Sequence, residues 1–169
     1  MNEPQTHKVR GLLLSLVAIP IAMVLWVIIW NMGFIASIVA FALAYGVLWL
    51  YEKGAGAKPD KTVALPLVAI IVVGSMLSFF AGMVSDGWSY YQSEDYRKDL
   101  QVSTNPSAGD TIRYVTEDLG NSEIWNSYNG DMVMAGVFTL LGAGVVVVGL
   151  FRNQNTPDEP AENRDTRTL

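Results

Sequence analysis

Four stretches of this chain hold no Asp, Glu, Lys or Arg, and each is long enough to cross a lipid bilayer. Charged residues make up 16% of the chain, and a water-soluble domain would spread about 25% over its whole length. Here they are pushed into the segments between the apolar runs, which favours hydrocarbon as the solvent of those runs. The predicted fold is therefore all-α: a polytopic membrane protein with four transmembrane helices and short extracytoplasmic helices between the third and fourth.

The spans follow from length and punctuation. Gly11 to Trp30 is apolar apart from Ser15, and its 20 residues rise about 30 Å as a helix, the depth of a hydrocarbon core. The run outlasts the h-region of a signal peptide and reads as an anchor. Apolar character continues to Leu50, too far for one crossing, so the chain is expected to turn at Asn31, Met32 and Gly33 and return over 34–51. Residues 52–62 form a polar turn rich in Gly and Lys, 63–84 a third span with Pro66 in its first turn, and 132–151 a fourth. Pro20 lies inside the first span and cannot donate to the carbonyl of Leu16, which predicts a kink.

Basic residues set the direction. The N-terminal segment 1–10, the 52–62 turn and the tail 152–169 hold Lys8, Arg10, Lys53, Lys58, Lys61, Arg152, Arg164 and Arg167, whereas the segment 85–131 holds only Arg97, Lys98 and Arg113. By the positive-inside rule both termini are cytoplasmic and 85–131 is extracytoplasmic. Trp30, Trp88, Trp125 and Tyr128 mark the outer boundary, and Trp49 and Tyr51 the inner one. The expected location is a cell membrane, with the lipid bilayer as first partner. The tail is rich in Pro, Asp, Glu, Asn and Thr and is expected to be disordered.

Helices in lipid associate through close backbone approach along small residues. Each span carries such a seam: Gly11, Ser15, Ala18 and Ala22; Ala36, Ala40 and Ala44; Gly74, Ser78 and Gly82; and Ala135, Gly142 and Gly149 at intervals of seven. Small residues are common in membrane helices and also recur at regular spacing by chance. The segment 85–131 reads as two short helices. One continues outward from the third span with Glu94 and Lys98 paired. The other is capped by Ser107 and stopped by Gly120, with Ala108, Ile112, Val115 and Leu119 as its apolar stripe and Arg113 paired to Glu117.

Candidate chemistry is sparse. Cys is absent and the one His, His7, lies in the N-terminal segment, so a His-containing triad or a thiolate site cannot be built. Asp86 and Asp131 sit at the outer ends of the third and fourth spans and form a candidate acidic pair, either for acid–base work or simply as residues that stop the helices at water. The acidic outer segment lacks the Asp-x-Asp-x-Asp-Gly pattern of a calcium loop, and no cofactor or metal is expected. A net charge of −5 with scattered basic residues excludes nucleic acid as a partner. The spans lack the ionisable groups of a proton-coupled carrier.

The stretch from Arg10 and Gly11, through Trp26 and Gly33-Phe34-Ile35, to Leu50-Tyr51-Glu52-Lys53-Gly54-Ala55-Gly56, with the Tyr90-Tyr91 region and the Gly-rich last span, resembles a poorly characterised family of bacterial four-helix integral membrane proteins. The resemblance implies a small-residue-rich hairpin and brings no assigned activity. Some such proteins carry a Cys-rich zinc-ribbon segment that this chain lacks. The expectation is a non-enzymatic interaction or accessory component of the cell envelope, self-associating or bound to another membrane protein. The alternative is a small oligomeric pore or transporter subunit lined by Ser15, Ser37, Ser75, Ser78 or Thr139.

Overall fold

The computed structural model describes residues 3–32 and 37–152, with side chains described for 7–32 and 37–149. The Gly33-Phe34-Ile35 turn, Ala36 and the tail beyond Arg152 lie outside the described residues. All regular structure among the described residues is helical: α1 Glu3–Ser15, α2 Ala18–Asn31, α3 Ile38–Ala55, α4 Lys61–Tyr91, α5 Glu94–Asp99, α6 Ala108–Asp118, α7 Ser122–Ser127 and α8 Asn129–Arg152. Four helical stretches, His7–Asn31, Ile38–Ala55, Lys61–Tyr91 and Asn129–Gly149, are long and apolar enough to cross a membrane. Large apolar side chains stand exposed on all of them, including Val24, Tyr45, Met76 and Leu140.

The first span is broken where Pro20 requires it. Proline offers no N–H to the carbonyl of Leu16 and its ring crowds that group, so the break falls four residues upstream of the ring, at Leu16–Val17. The freed carbonyl accepts from the Ile19 amide at 3.1 Å, and the Val17 amide donates to Leu14 at 3.1 Å. These tighter bonds re-satisfy the backbone groups that the proline leaves without a helical partner. The break also changes neighbours: α1 packs on α3, whereas α2 packs chiefly on α4. Helix α8 packs on the same pair, α3 and α4, and that pair touches along its own seam. The buried centre holds Trp26, Val47, Leu67, Ile71 and Val146.

Backbones meet where small residues lie. Gly11, Ser15, Ala18, Ala22, Ala40, Ala44, Gly74, Ser78, Gly82, Ala135 and Gly142 are all buried. A Cβ on Gly142 would lie 2.9 Å from the Ala44 Cβ, and one on Gly74 would lie 2.8 Å from Leu43 Cδ2. Ser15 Oγ lies 2.9 Å from the carbonyl of Gly11 on its own helix and 3.1 Å from that of Val47 on α3, so one hydroxyl serves the α1–α3 crossing. Gly149 is a correction: it is exposed, with nothing near its Cβ position. Intervals of seven fall about 20° short of two full turns each, and the drift carries Gly149 toward the exposed side with Val145 and Val148.

Element ends also differ from expectation. Helix α3 runs past Tyr51 to Ala55, so Gly54 and Ala55 belong to a helix and not to the turn. A Cβ on Gly54 would lie 2.8 Å from Gly11 Cα and 2.9 Å from the Arg10 carbonyl, so this glycine is where α1 and α3 touch. Only Gly56, the C-cap, adopts the left-handed conformation among the described glycines, with φ 70°. Helix α4 starts at Lys61, two residues before the expected span, which places Pro66 in its second turn. At 31 residues it rises about 46 Å and outruns the hydrocarbon depth, leaving its last turns as a post beyond the bundle.

A polar latch fixes the end of the bundle that carries the 56–60 turn. Asp60 caps α4 by accepting from the Thr62 amide at 3.0 Å and the Thr62 hydroxyl at 2.6 Å, and its other oxygen takes Lys8 Nζ at 2.5 Å. The Lys8 ammonium, then the Thr62 hydroxyl, hold the Asp60 carboxyl at about 2, below the ordinary 3.8. A depressed folded pKa means that the stabilisation is complete above about pH 4 and is lost as pH falls toward 2. Asp60→Asn keeps an N-cap acceptor and removes the charge that faces Lys8, so it is expected to cost at most about 1 kcal/mol, the upper worth of an exposed ion pair. The difference in thermal midpoint between variant and wild type in detergent should hold from pH 7 to 5 and close by pH 2. A gap that persists at pH 2 would show that the charge is not what acts.

Candidate functional site

The post formed by the end of α4 carries a concave surface lined by both polar and apolar side chains. Between α2 and α4 at this end Trp30 and Phe79 meet edge to face at 6.1 Å, and Tyr128, just before α8, packs on Trp30 at 5.8 Å. Three short helices gather around the post, each started by a side-chain cap: Ser93 on α5, Ser107 on α6 and Asn121 on α7. Two short helices were expected; the first, α5, is separate from α4, which ends at Tyr91 with Gln92 as its C-cap, and the additional helix is α7. The expected ion pairs occur, Glu94 with Lys98 at 3.7 Å and Arg113 with Glu117 at 3.8 Å. Both are exposed and contribute little to stability.

Helix α6 docks one residue round from the expected stripe. Thr111 and Val115 are buried, whereas Ile112 is 60% exposed. Gln92 decides the register: its side-chain Nε2 donates to the Thr111 hydroxyl at 2.8 Å and the Pro106 carbonyl at 3.2 Å, and its backbone carbonyl accepts from Asn105 Nδ2 at 2.6 Å. Val115 then lies over Gly87, where a Cβ would come within 3.2 Å of Val115 Cγ2. Leu119 is the C-cap of α6, and Gly120 does not act as a left-handed stop. The indole of Trp125 donates to the Leu119 carbonyl at 3.0 Å and so ties α7 to α6.

These contacts enclose a cavity of about 450 Å³ between α4, α6, α7 and Tyr128. Met83, Asp86, Gly87, Tyr90 and Tyr91 line it from one face of α4, because residues three and four apart share a helix face. Val115, Asp118, Leu119 and Ile124 close the other side. Each phenol at this site is spent on a carboxylate: Tyr128 donates to Asp86 at 2.5 Å, Tyr91 to Asp118 at 2.8 Å, and Tyr90 to Asp99 at 3.3 Å. Burial, then the hydrogen bond to Asp86 and the charges of Asp86, Asp131 and Asp118, push the Tyr128 phenol above its ordinary value. It therefore keeps its proton at neutral pH and acts as a neutral donor.

The candidate pair is thus rearranged. Asp86 does not end α4 but lies within it, as hydrogen-bond acceptor for Tyr128. Asp131 occupies the first turn of α8 and bears on Tyr128 through its charge. No hydrogen bond joins the two carboxylates among the described residues. The partner that Asp118 takes, Tyr91, stands 27 residues away in sequence, and no local pattern signals it. Tyr128 was visible only as a boundary aromatic.

Elsewhere, a groove of about 410 Å³ lies between α4 and α8 with Ser75, Phe79, Trp125 and Thr139 in its walls. Among the described residues no three His, Cys, Asp or Glu side chains lie close enough together to hold a metal ion. Against protein-family models, curated proteins and solved structures, the chain matches none.

Proposed function

We propose that this chain is a multi-pass component of a bacterial cell membrane, with both termini in the cytoplasm and α5–α7 on the outer face. It acts without catalysis, by receiving a ligand or partner group in the cavity over the outer end of the bundle. The observation that carries this reading is the cavity itself: a ligand-sized hollow with two carboxylates and an apolar floor, walled by the end of α4 and the capped helices α6 and α7. The basic residues in segments 1–10 and 52–62 and the tail support its outward orientation.

Catalysis by the Asp86 region fits the geometry poorly. A general acid or base needs a proton to exchange near neutral pH, and the Asp86 carboxylate is engaged with a phenol whose proton is held more tightly than usual. A pore between subunits gains no support either. Ser15, Ser37, Ser75, Ser78 and Thr139 are each no more than 8% exposed within one chain, so they do not present a polar lining to a neighbour.

Single cysteines test the reading, since the chain has none of its own. Thr104→Cys and Ile124→Cys should react with a membrane-impermeant maleimide on intact cells, and Ala57→Cys only after permeabilisation. Labelling of residues 57 and 104 from the same side overturns the topology. Protection of residue 124 while 104 reacts overturns the open cavity.

A further inference from the structure

The outer cavity offers acceptors and no spare donors. Its three phenols, Tyr90, Tyr91 and Tyr128, already give their protons to Asp99, Asp118 and Asp86. Each carboxylate has about four acceptor positions, so one phenol leaves Asp86 and Asp118 with capacity facing the cavity they line. No Lys, Arg or His lines it. The nearby cations are engaged elsewhere: Arg97 and Lys98 with Glu94, Lys98 also with Asp95, and Arg113 with Glu117. Two negative charges therefore sit beside aromatic rings and an apolar floor, without a cationic partner of their own among the ion pairs of the described residues.

That combination selects its occupant. An anion is repelled, and a neutral polyol needs donors as well as acceptors from the wall. A hydrated metal ion would need several converging oxygens and finds Leu119 and the other apolar residues of the floor instead. An ammonium ion with alkyl substituents meets every term: its charge is held by the carboxylates and ring faces, and its carbons cover the floor. We infer that the cavity binds an organic ammonium group, either of a free amine or of a lipid headgroup, an inference that rests on the cavity being the recognition site proposed above.

The test uses the full chain purified in maltoside micelles, with choline as probe and its uncharged carbon isostere, 3,3-dimethyl-1-butanol, as comparison, binding being read by tryptophan fluorescence or calorimetry. Choline should bind saturably and the alcohol at least about tenfold more weakly, the worth of one charge at a partly solvated site. Asp86→Asn and Asp118→Asn should each weaken choline about fivefold or more by the same reasoning, while Asp95→Asn, outside the cavity, leaves it unchanged. Equal binding of choline and the alcohol, or no binding of choline, overturns the inference without any variant having to fold. Carboxamide variants that fold and bind as wild type also overturn it. Added lysophosphatidylcholine distinguishes the sources: displacement of choline at stoichiometric amounts assigns the group to a lipid, and its absence assigns it to a free amine. Should residue 124 react from outside and choline still fail to bind, the inference falls and the recognition site stands; protection of residue 124 removes both.

Discussion

Gly54→Val is expected to lower the unfolding free energy by about 3 kcal/mol or more, the upper range for forcing extra atoms into a packed contact. Even a single methyl at this position would sit 2.8 Å from Gly11 Cα and 2.9 Å from the Arg10 carbonyl. Both neighbours are backbone, so no rotamer change relieves the clash. The α1–α3 crossing has to open, and with it the Ser15 bond to the Val47 carbonyl. Unfolding in mixed micelles with increasing dodecyl sulfate measures the loss. Gly56→Ala supplies the contrast: it disturbs only a left-handed cap with open space around it, at a cost of about 1 kcal/mol. If the two variants lose equal stability, Gly54 is a turn residue after all and the crossing is misplaced.

Trp26→Ala is the second large effect. The indole is fully buried, meets Phe79 edge to face at 6.3 Å, and lies where a Cβ on Gly82 would come within 2.9 Å of its Nε1. Truncating a buried aromatic costs about 3–5 kcal/mol in water-soluble cores. If the bundle lies in lipid, as proposed, the separated helices are already in an apolar phase and only the packing part remains, so about 3 kcal/mol is expected. The indole N–H has no acceptor among the described residues, so Trp26→Phe loses volume but no hydrogen bond seen there and should cost clearly less than Trp26→Ala. Equal losses for the two would mean that an unseen acceptor for the N–H carries the effect. The same denaturation series reads both.

What could be read from the residues was local. The four long apolar helices follow from runs without charge, the Ser107 cap from a hydroxyl ahead of a helical stretch, and the Glu94–Lys98 and Arg113–Glu117 pairs from four-residue spacing. What escaped depends on which faces meet. Glu52 and Lys53 made Gly54 and Ala55 look like part of a turn, because the hydropathy signal ends before the helix does. Ala108 and Ile112 fit an apolar stripe, yet the Gln92 bond to Thr111 turns α6 so that Thr111 is covered and Ile112 is not. The cavity itself is made by that rotation, since it brings Asp118 to Tyr91. Spacing within one helix carries no record of such a choice.

The first span belongs to one neighbour below its break and chiefly to another above it. A segment clamped at Gly11 to α3 and at Trp26 to α4 lets neither slip without tearing loose from the other. The proline that interrupts this helix thereby adds a rivet between α3 and α4, beside their own seam and the hold of α8 on both.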